Sequence, residues 1–164
     1  MKRITRILLL AALACGMSGC ASLDHPTYED VRRDALDAMQ TIVDRIPEPK
    51  VVRPRPEFKP YGCHDALLGM NKDGAFFTGY WEVEVADDVD VAQFVLDLPS
   101  ELGDGWADEP QLISVSFAQT NLVQVATKVS ITVEERERNG KKGIDVLAIS
   151  PCGIEARQTD SPTN

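Results

Sequence analysis

The chain has 164 residues, 26 acidic against 17 basic side chains, and a formal charge of −9. Such a balance repels phosphate backbones and anionic headgroups, which sets nucleic-acid binding aside and gives electrostatics no part in holding the protein to a membrane. There are two histidines and no H-x-x-x-H, C-x-x-C, G-x-S-x-G, phosphate-loop or dinucleotide pattern, so neither a metal site nor a cofactor is expected.

The first twenty residues read as a bacterial lipoprotein leader. Lys2, Arg3 and Arg6 form a positive start, and Ile7 to Cys15 is an unbroken run of nine apolar and small residues. A helix of that length falls far short of ~30 Å of hydrocarbon but suits a signal peptide. Met17-Ser18-Gly19-Cys20 then sets small residues before a thiol that can take a diacylglyceryl group before cleavage, although Leu is commoner than Met at the first of these positions. Cys20 is the expected lipid attachment. Cys15, after Ala12-Leu13-Ala14, is a rival that would shorten the apolar run; secretion without lipid and retention as an uncleaved anchor are further alternatives. At ~0.8 kcal/mol per buried CH₂ one acyl chain binds only marginally, whereas the two or more of a lipoprotein hold firmly. Loss of residues 1–19 would remove three basic residues and no acid, leaving 145 residues with a formal charge of −12. That length suits one domain. Residues 20–26 make a short tether, which keeps the domain near the lipid.

A helix is predicted over 27–46. Thr27 can cap its start, Glu29 and Asp30 suit the positive end of its dipole and Arg45 the negative end. Val31, Ala35, Met39, Ile42 and Ile46 recur at helical spacing, with Ala38 and Val43 widening the stripe. Pro47 stops it. The stripe can lie on a protein core or on a membrane; mixed charge and small Ala positions favour the core. Residues 47–60 follow as a connector with Pro47, Pro49, Pro54, Pro56 and Pro60, and with Lys50, Arg53, Arg55 and Lys59 between them. This composition favours polyproline II. It suits a spacer, or a strap across the domain whose bases meet acids of the same protein.

An α+β core is expected over 61–153. Phe77, Gly79, Trp81, Val83 and Val85 alternate with Phe76, Thr78, Tyr80, Glu82 and Glu84, which predicts a strand with Trp81 toward the core. Asp87-Asp88 should cap a second helix carrying Val91, Phe94, Val95 and Leu98, ended or kinked at Pro99. Gly103-Asp104-Gly105 reads as a turn. Leu112 to Ala118 reads as a strand, Gln119-Thr120-Asn121 as a turn, and the β-branched run with Val123, Val125, Val129, Ile131 and Val133 as one long strand. Asn139-Gly140 is a hairpin turn, since both residues tolerate positive φ. Ile144 to Ser150 returns, and residues 154–164 look disordered. The order α-β-α-β-β-β implies a four-stranded antiparallel sheet packed on one face by two helices.

Beyond the leader only Cys63 and Cys152 remain, and in an exported chain two thiols usually pair. The competing reading is a reactive Cys63 beside His64 and Asp65, but sequence neighbours rarely meet in catalytic geometry. From Asp73 to Thr127 there is no Lys or Arg, against eleven acids: Asp73, Glu82, Glu84, Asp87, Asp88, Asp90, Asp97, Glu101, Asp104, Asp108 and Glu109. Solubility and helix capping are the plain reading. An acidic face for a basic partner, and a weak Ca²⁺ site at Asp87-Asp88-Asp90 or between Asp104 and Glu109, are the functional ones. Trp106, just after the glycine turn, is placed for either packing or contact. With Asp104, Asp108 and Glu109 it forms the candidate partner surface.

In Cys20, Cys63, Gly105-Trp106 and Ser150-Pro151-Cys152 the chain resembles small uncharacterised lipoproteins and secreted proteins of actinobacteria. Pro99 and the Pro-rich stretch depart from their layout. The resemblance implies a compact α+β domain on the outer face of the membrane and no particular activity. The expectation is a lipid-anchored, non-catalytic binding or structural domain that contacts a basic envelope protein. A small hydrolase using carboxylates and a divalent-cation-binding domain are the alternatives.

Overall fold

The computed structural model describes residues 26–63, 74–111 and 113–154. Cys15, Cys20, His25, His64, Asp65, Asp73, Leu112 and the residues after 154 lie outside them, so the leader, the lipid attachment and the tail are not among the described parts.

Helix α1, Tyr28–Arg45, begins as its sequence predicts. The Thr27 hydroxyl accepts from the Asp30 N–H at 3.2 Å, and the Asp30 carboxylate accepts from the Thr27 N–H, forming a capping box. Val31, Ala35, Ala38, Met39, Ile42 and Val43 are buried, so the stripe lies on protein. Ile46 then turns extended ahead of Pro47.

The main sheet corrects the four-stranded expectation. It has six strands in the order β1-β4-β8-β7-β6-β5, all neighbours antiparallel, and a separate pair β2-β3 stands beside it. The strands are β1 Lys50–Pro54, β2 Tyr61–Gly62, β3 Ala75–Phe76, β4 Thr78–Val85, β5 Trp106–Glu109, β6 Gln119–Gln124, β7 Ser130–Arg138 and β8 Lys141–Ile149. The two unexpected members of the main sheet are its edges. Only an edge tolerates the prolines around β1, because a proline removes a ladder donor. Strand β5 has no apolar alternation to betray it. Gln119-Thr120-Asn121 is the start of β6 and not a turn, and residues 113–118, read as strand, form the loop before it. The long β-branched run is two strands. It breaks at Val125–Lys128, where Lys128 takes φ 63° and Val125 is left exposed. The Asn139-Gly140 turn stands as read, with φ 55° and 71° and Arg138 opposite Lys141.

Helix α2, Val91–Leu102, is capped by Asp90, whose side chain accepts from the Gln93 N–H, and not by Asp87 or Asp88. Pro99 lies inside it; a one-turn 3₁₀ helix at Gly103–Gly105 then leads into β5. Both helices cover one face of the sheet. Their apolar side chains meet Val83 of β4, Ile144, Val146 and Ala148 of β8, Ile131 and Val133 of β7 and Leu122 of β6 in a single core. Trp81 and Trp106 are half-buried against that core, in keeping with the packing reading for both.

The chain after β8 closes the fold. Ile154 pairs with Thr27, Gly153 pairs with Ala75, and Cys63 is bonded to Cys152 with Cα atoms 6.1 Å apart. Cys63 is thus a structural half-cystine and not a free nucleophile. Gly153 is required by close approach. A Cβ there would stand 2.6 Å from Tyr28 Cα and 2.7 Å from the Thr27 oxygen, both backbone atoms.

Candidate interaction surface

No described helix lies on the other face of the sheet, and alternation turns a polar set toward it. Tyr80, Glu82 and Glu84 come from β4, Asp145 and Leu147 from β8, and Thr132, Glu134, Arg136 and Arg138 from β7. Two acids of this set are paired within it. Arg136 Nε donates to Asp145 at 2.7 Å, and Tyr80 Oη donates to the other carboxylate oxygen. Gly143, opposite Arg136, leaves space for the guanidinium; a Cβ there would be 2.5 Å from Arg136 Nη2. Burial, and then its bond to Asp145, push the Tyr80 phenol well above its ordinary pKa. Burial likewise raises Glu134, with the facing Asp145 charge adding to it.

Bases of the Pro-rich stretch serve the same face. Arg55 donates twice to Glu82, at 2.8 and 3.1 Å, and Arg138 donates at 3.3 Å. Arg53 reaches Glu84 at 3.1 Å, a hydrogen bond that holds the Glu84 carboxyl below its usual value. A little further on, Arg32 of α1 grips Glu57 with two nitrogens while lying 5.8 Å above the Phe77 ring. The stretch is therefore a strap and not a spacer.

The acids from Asp87 to Glu109 are treated differently. Asp87, Asp88, Asp90, Asp97, Glu101, Asp104, Asp108 and Glu109 are all exposed, and among the described residues none forms an ion pair. Two bases reach this side and bind carbonyl oxygens instead. Arg45 donates to the Glu101 carbonyl at 3.0 Å, and Lys142 to those of Asp87 and Val89 at 2.9 and 3.3 Å.

The four residues expected to form a contact surface fall at one place in the fold. Asp104 lies in the 3₁₀ turn, and Trp106, Asp108 and Glu109 lie on the edge strand β5. Trp106 packs inward, while Asp108 and Glu109 line a groove of about 230 Å³ with Leu96 and Pro99 of α2, Gln111 and Asn121. Leu96 and Pro99 were not legible as site residues. The one sign in the sequence is that Leu96 stands off the apolar stripe of its helix, and in the fold it is 60% exposed. A second groove, of about 340 Å³, lies between Asp88, Asp90 and Ala92 on one side and Glu135 and Lys142 on the other. Among the described residues no three His, Cys, Asp or Glu side chains gather where a metal ion could sit, and no helix is long and apolar enough to cross a membrane. Comparison with known proteins found no matching family model, curated protein or solved structure.

Proposed function

We propose that this chain is an extracytoplasmic lipoprotein, anchored through acyl chains on Cys20, whose domain is a non-catalytic binding module for a basic protein of the cell envelope. The observation that carries the binding reading is the run of eight exposed carboxylates from Asp87 to Glu109 without an ion pair among the described residues, while Glu82 and Glu84 just before them are both paired. Solubility is served as well by acids and bases interspersed. A one-signed face steers and selects a partner of the opposite sign.

Two further features support the anchor reading. The Cys63–Cys152 bond belongs to an oxidising compartment. Thr27, where the tether would join, and Glu101, which meets Arg45, lie at opposite ends of an 18-residue helix, about 27 Å long. An acidic face so placed stands away from anionic headgroups.

Mass spectrometry of the native protein should find Cys20 as the first residue, carrying diacylglycerol. An intact, unmodified leader would remove the anchor. A pull-down from solubilised envelope should recover a basic protein at low salt, less at moderate salt, and less with Asp104→Asn, Asp108→Asn and Glu109→Gln combined. Recovery of nothing at low salt would remove the binding reading.

A further inference from the structure

Strand β5 ends the six-stranded sheet, and among the described residues no strand lies beside its outer side. The Gly105 oxygen accepts from the Val125 N–H at 3.0 Å, which fixes the phase of the ladder: residues 105, 107 and 109 turn their backbone groups to β6, and 106 and 108 turn theirs outward. The Trp106 N–H is taken by the Gly103 oxygen. That leaves the Trp106 carbonyl and both the N–H and the carbonyl of Asp108 facing out, with no backbone partner among the described residues. The opposite edge, β1, is blunted by Pro54 and flanked by Pro49 and Pro56, the usual protection against strand addition. No proline falls within β5; the next is Pro110, just beyond its end. Alongside the open edge runs the groove that Asp108 and Glu109 line with Leu96 and Pro99, and Asp104 lies in the turn just before β5.

We infer that β5 accepts an extended segment of the partner protein as a seventh strand, one in which lysine or arginine alternates with apolar residues. This rests on the binding reading above and names the partner's form. The exposed backbone groups of Trp106 and Asp108 hold the segment's main chain. Apolar side chains on its helix-facing side rest on Leu96 and Pro99; its cations, on the opposite side, meet Glu109, while Asp104 and Asp108 add to the attraction at longer range. A second copy of this chain is disfavoured as occupant, because two β5 edges side by side would oppose Asp108 and Glu109 to the same acids, and like charges across a ladder repel. The mode is strand addition, in which main-chain bonds supply affinity and alternate side chains supply selectivity.

The test uses the full chain in a neutral detergent and three synthetic nine-residue peptides. One alternates Lys and Val, one carries the same charge but with prolines at alternate positions, and one alternates Glu and Val. The Lys–Val peptide should bind at low salt and slow amide exchange at Asp108 at least tenfold. The proline and Glu–Val peptides should do neither. Leu96→Ser and the combined Asp104→Asn, Asp108→Asn, Glu109→Gln variant should each weaken Lys–Val binding severalfold. Equal binding of the Lys–Val and proline peptides would overturn strand addition and leave the acidic-face reading standing. Absence of binding by both cationic peptides at low salt would overturn both. A dimer of the free chain with Asp108 already protected would show that a second copy occupies the edge, and would also overturn the inference.

Discussion

Glu134 sits directly across from Asp145 on the polar face of the sheet, and its carboxyl is held above the ordinary value by burial first and the Asp145 charge second. For an acid the sign follows directly. Protonation is favoured more in the folded state than in the unfolded chain, so this residue's contribution is fully present below the unfolded pKa, near ~4.3, and is lost as pH rises through the folded pKa. Glu84 runs the other way. Its bond to Arg53 lowers the folded pKa, so its contribution is lost as pH falls. At pH 7 Glu134 is a charge facing a like charge, and Glu134→Gln should raise the urea midpoint there by the equivalent of roughly 0.2–1 kcal/mol, the scale of one cross-strand pair. The gain should vanish near pH 3, where the native carboxyl is already neutral. A loss of stability at pH 7 would mean that the carboxylate accepts a bond the fold needs.

Strand β1 shows how an element can be made by its neighbours and not by its own propensity. Its sequence, KVVRP, offers one short apolar pair, yet it pairs along β4 from Lys50 opposite Val85 to Pro54 opposite Trp81. Just past it, Arg55 binds Glu82, whose side chain is only 9% exposed. Arg55→Ala would leave that carboxylate to Arg138 alone and should cost about 1–3 kcal/mol, the penalty for an under-satisfied polar group, with faster amide exchange along β1. Arg53→Ala should cost less than about 1 kcal/mol, because Arg53 is half in water. Equal losses from both, measured by denaturant titration, would show that β1 is held by its backbone and not by the buried pair. The same distinction separates what was legible from what was not. Helix α1 and the β7–β8 hairpin carry local signals: a capping residue, a 3.6-residue stripe, a two-residue Asn-Gly turn. That turn also sets the register that brings Glu134 opposite Asp145. The break in the β-branched run and the strand start at Gln119-Thr120-Asn121 depend on which strand lies alongside, as do both edge strands. Asp104, Asp108 and Glu109 stand out in the sequence as part of a long stretch without a base, but the proximity of Asp108 and Glu109 to Leu96 and Pro99 exists only once α2 is laid over the sheet.

Across the whole molecule two long-range constraints remain, one covalent and one electrostatic. The Cys63–Cys152 bond spans 89 positions, for which the chain-entropy model gives about 4–5 kcal/mol. Replacing both cysteines by serine should cost roughly 2–5 kcal/mol in a denaturant titration. The exchange of amides at Gly62, Ala75 and Gly153 should rise first, since these flank the bond. The charge constraint acts in the opposite direction. The chain is at −9, and most of the bases among the described residues are engaged with Glu82, Glu84, Asp145, Asp30 and Glu57, so much of the repulsion falls between Asp87 and Glu109. Added salt shortens the reach of exposed charges from ~30 Å at 0.01 M to ~10 Å at 0.1 M. It weakens the exposed attractive pairs as well, but those contribute little singly. Relief of the one-signed face should therefore dominate, and the melting temperature should rise by about 2–4 °C over that range, equivalent to ~1 kcal/mol in a chain of this size. In the combined Asp104→Asn, Asp108→Asn, Glu109→Gln variant the starting value should be higher and the slope smaller, because part of the repulsion is gone before salt is added. A melting temperature that falls with salt would mean that the ion pairs of β1, β4 and β7 outweigh the free acids. The acidic side would then be no standing cost to the fold, and the thermodynamic reason for reading it as a surface kept for a partner would be lost.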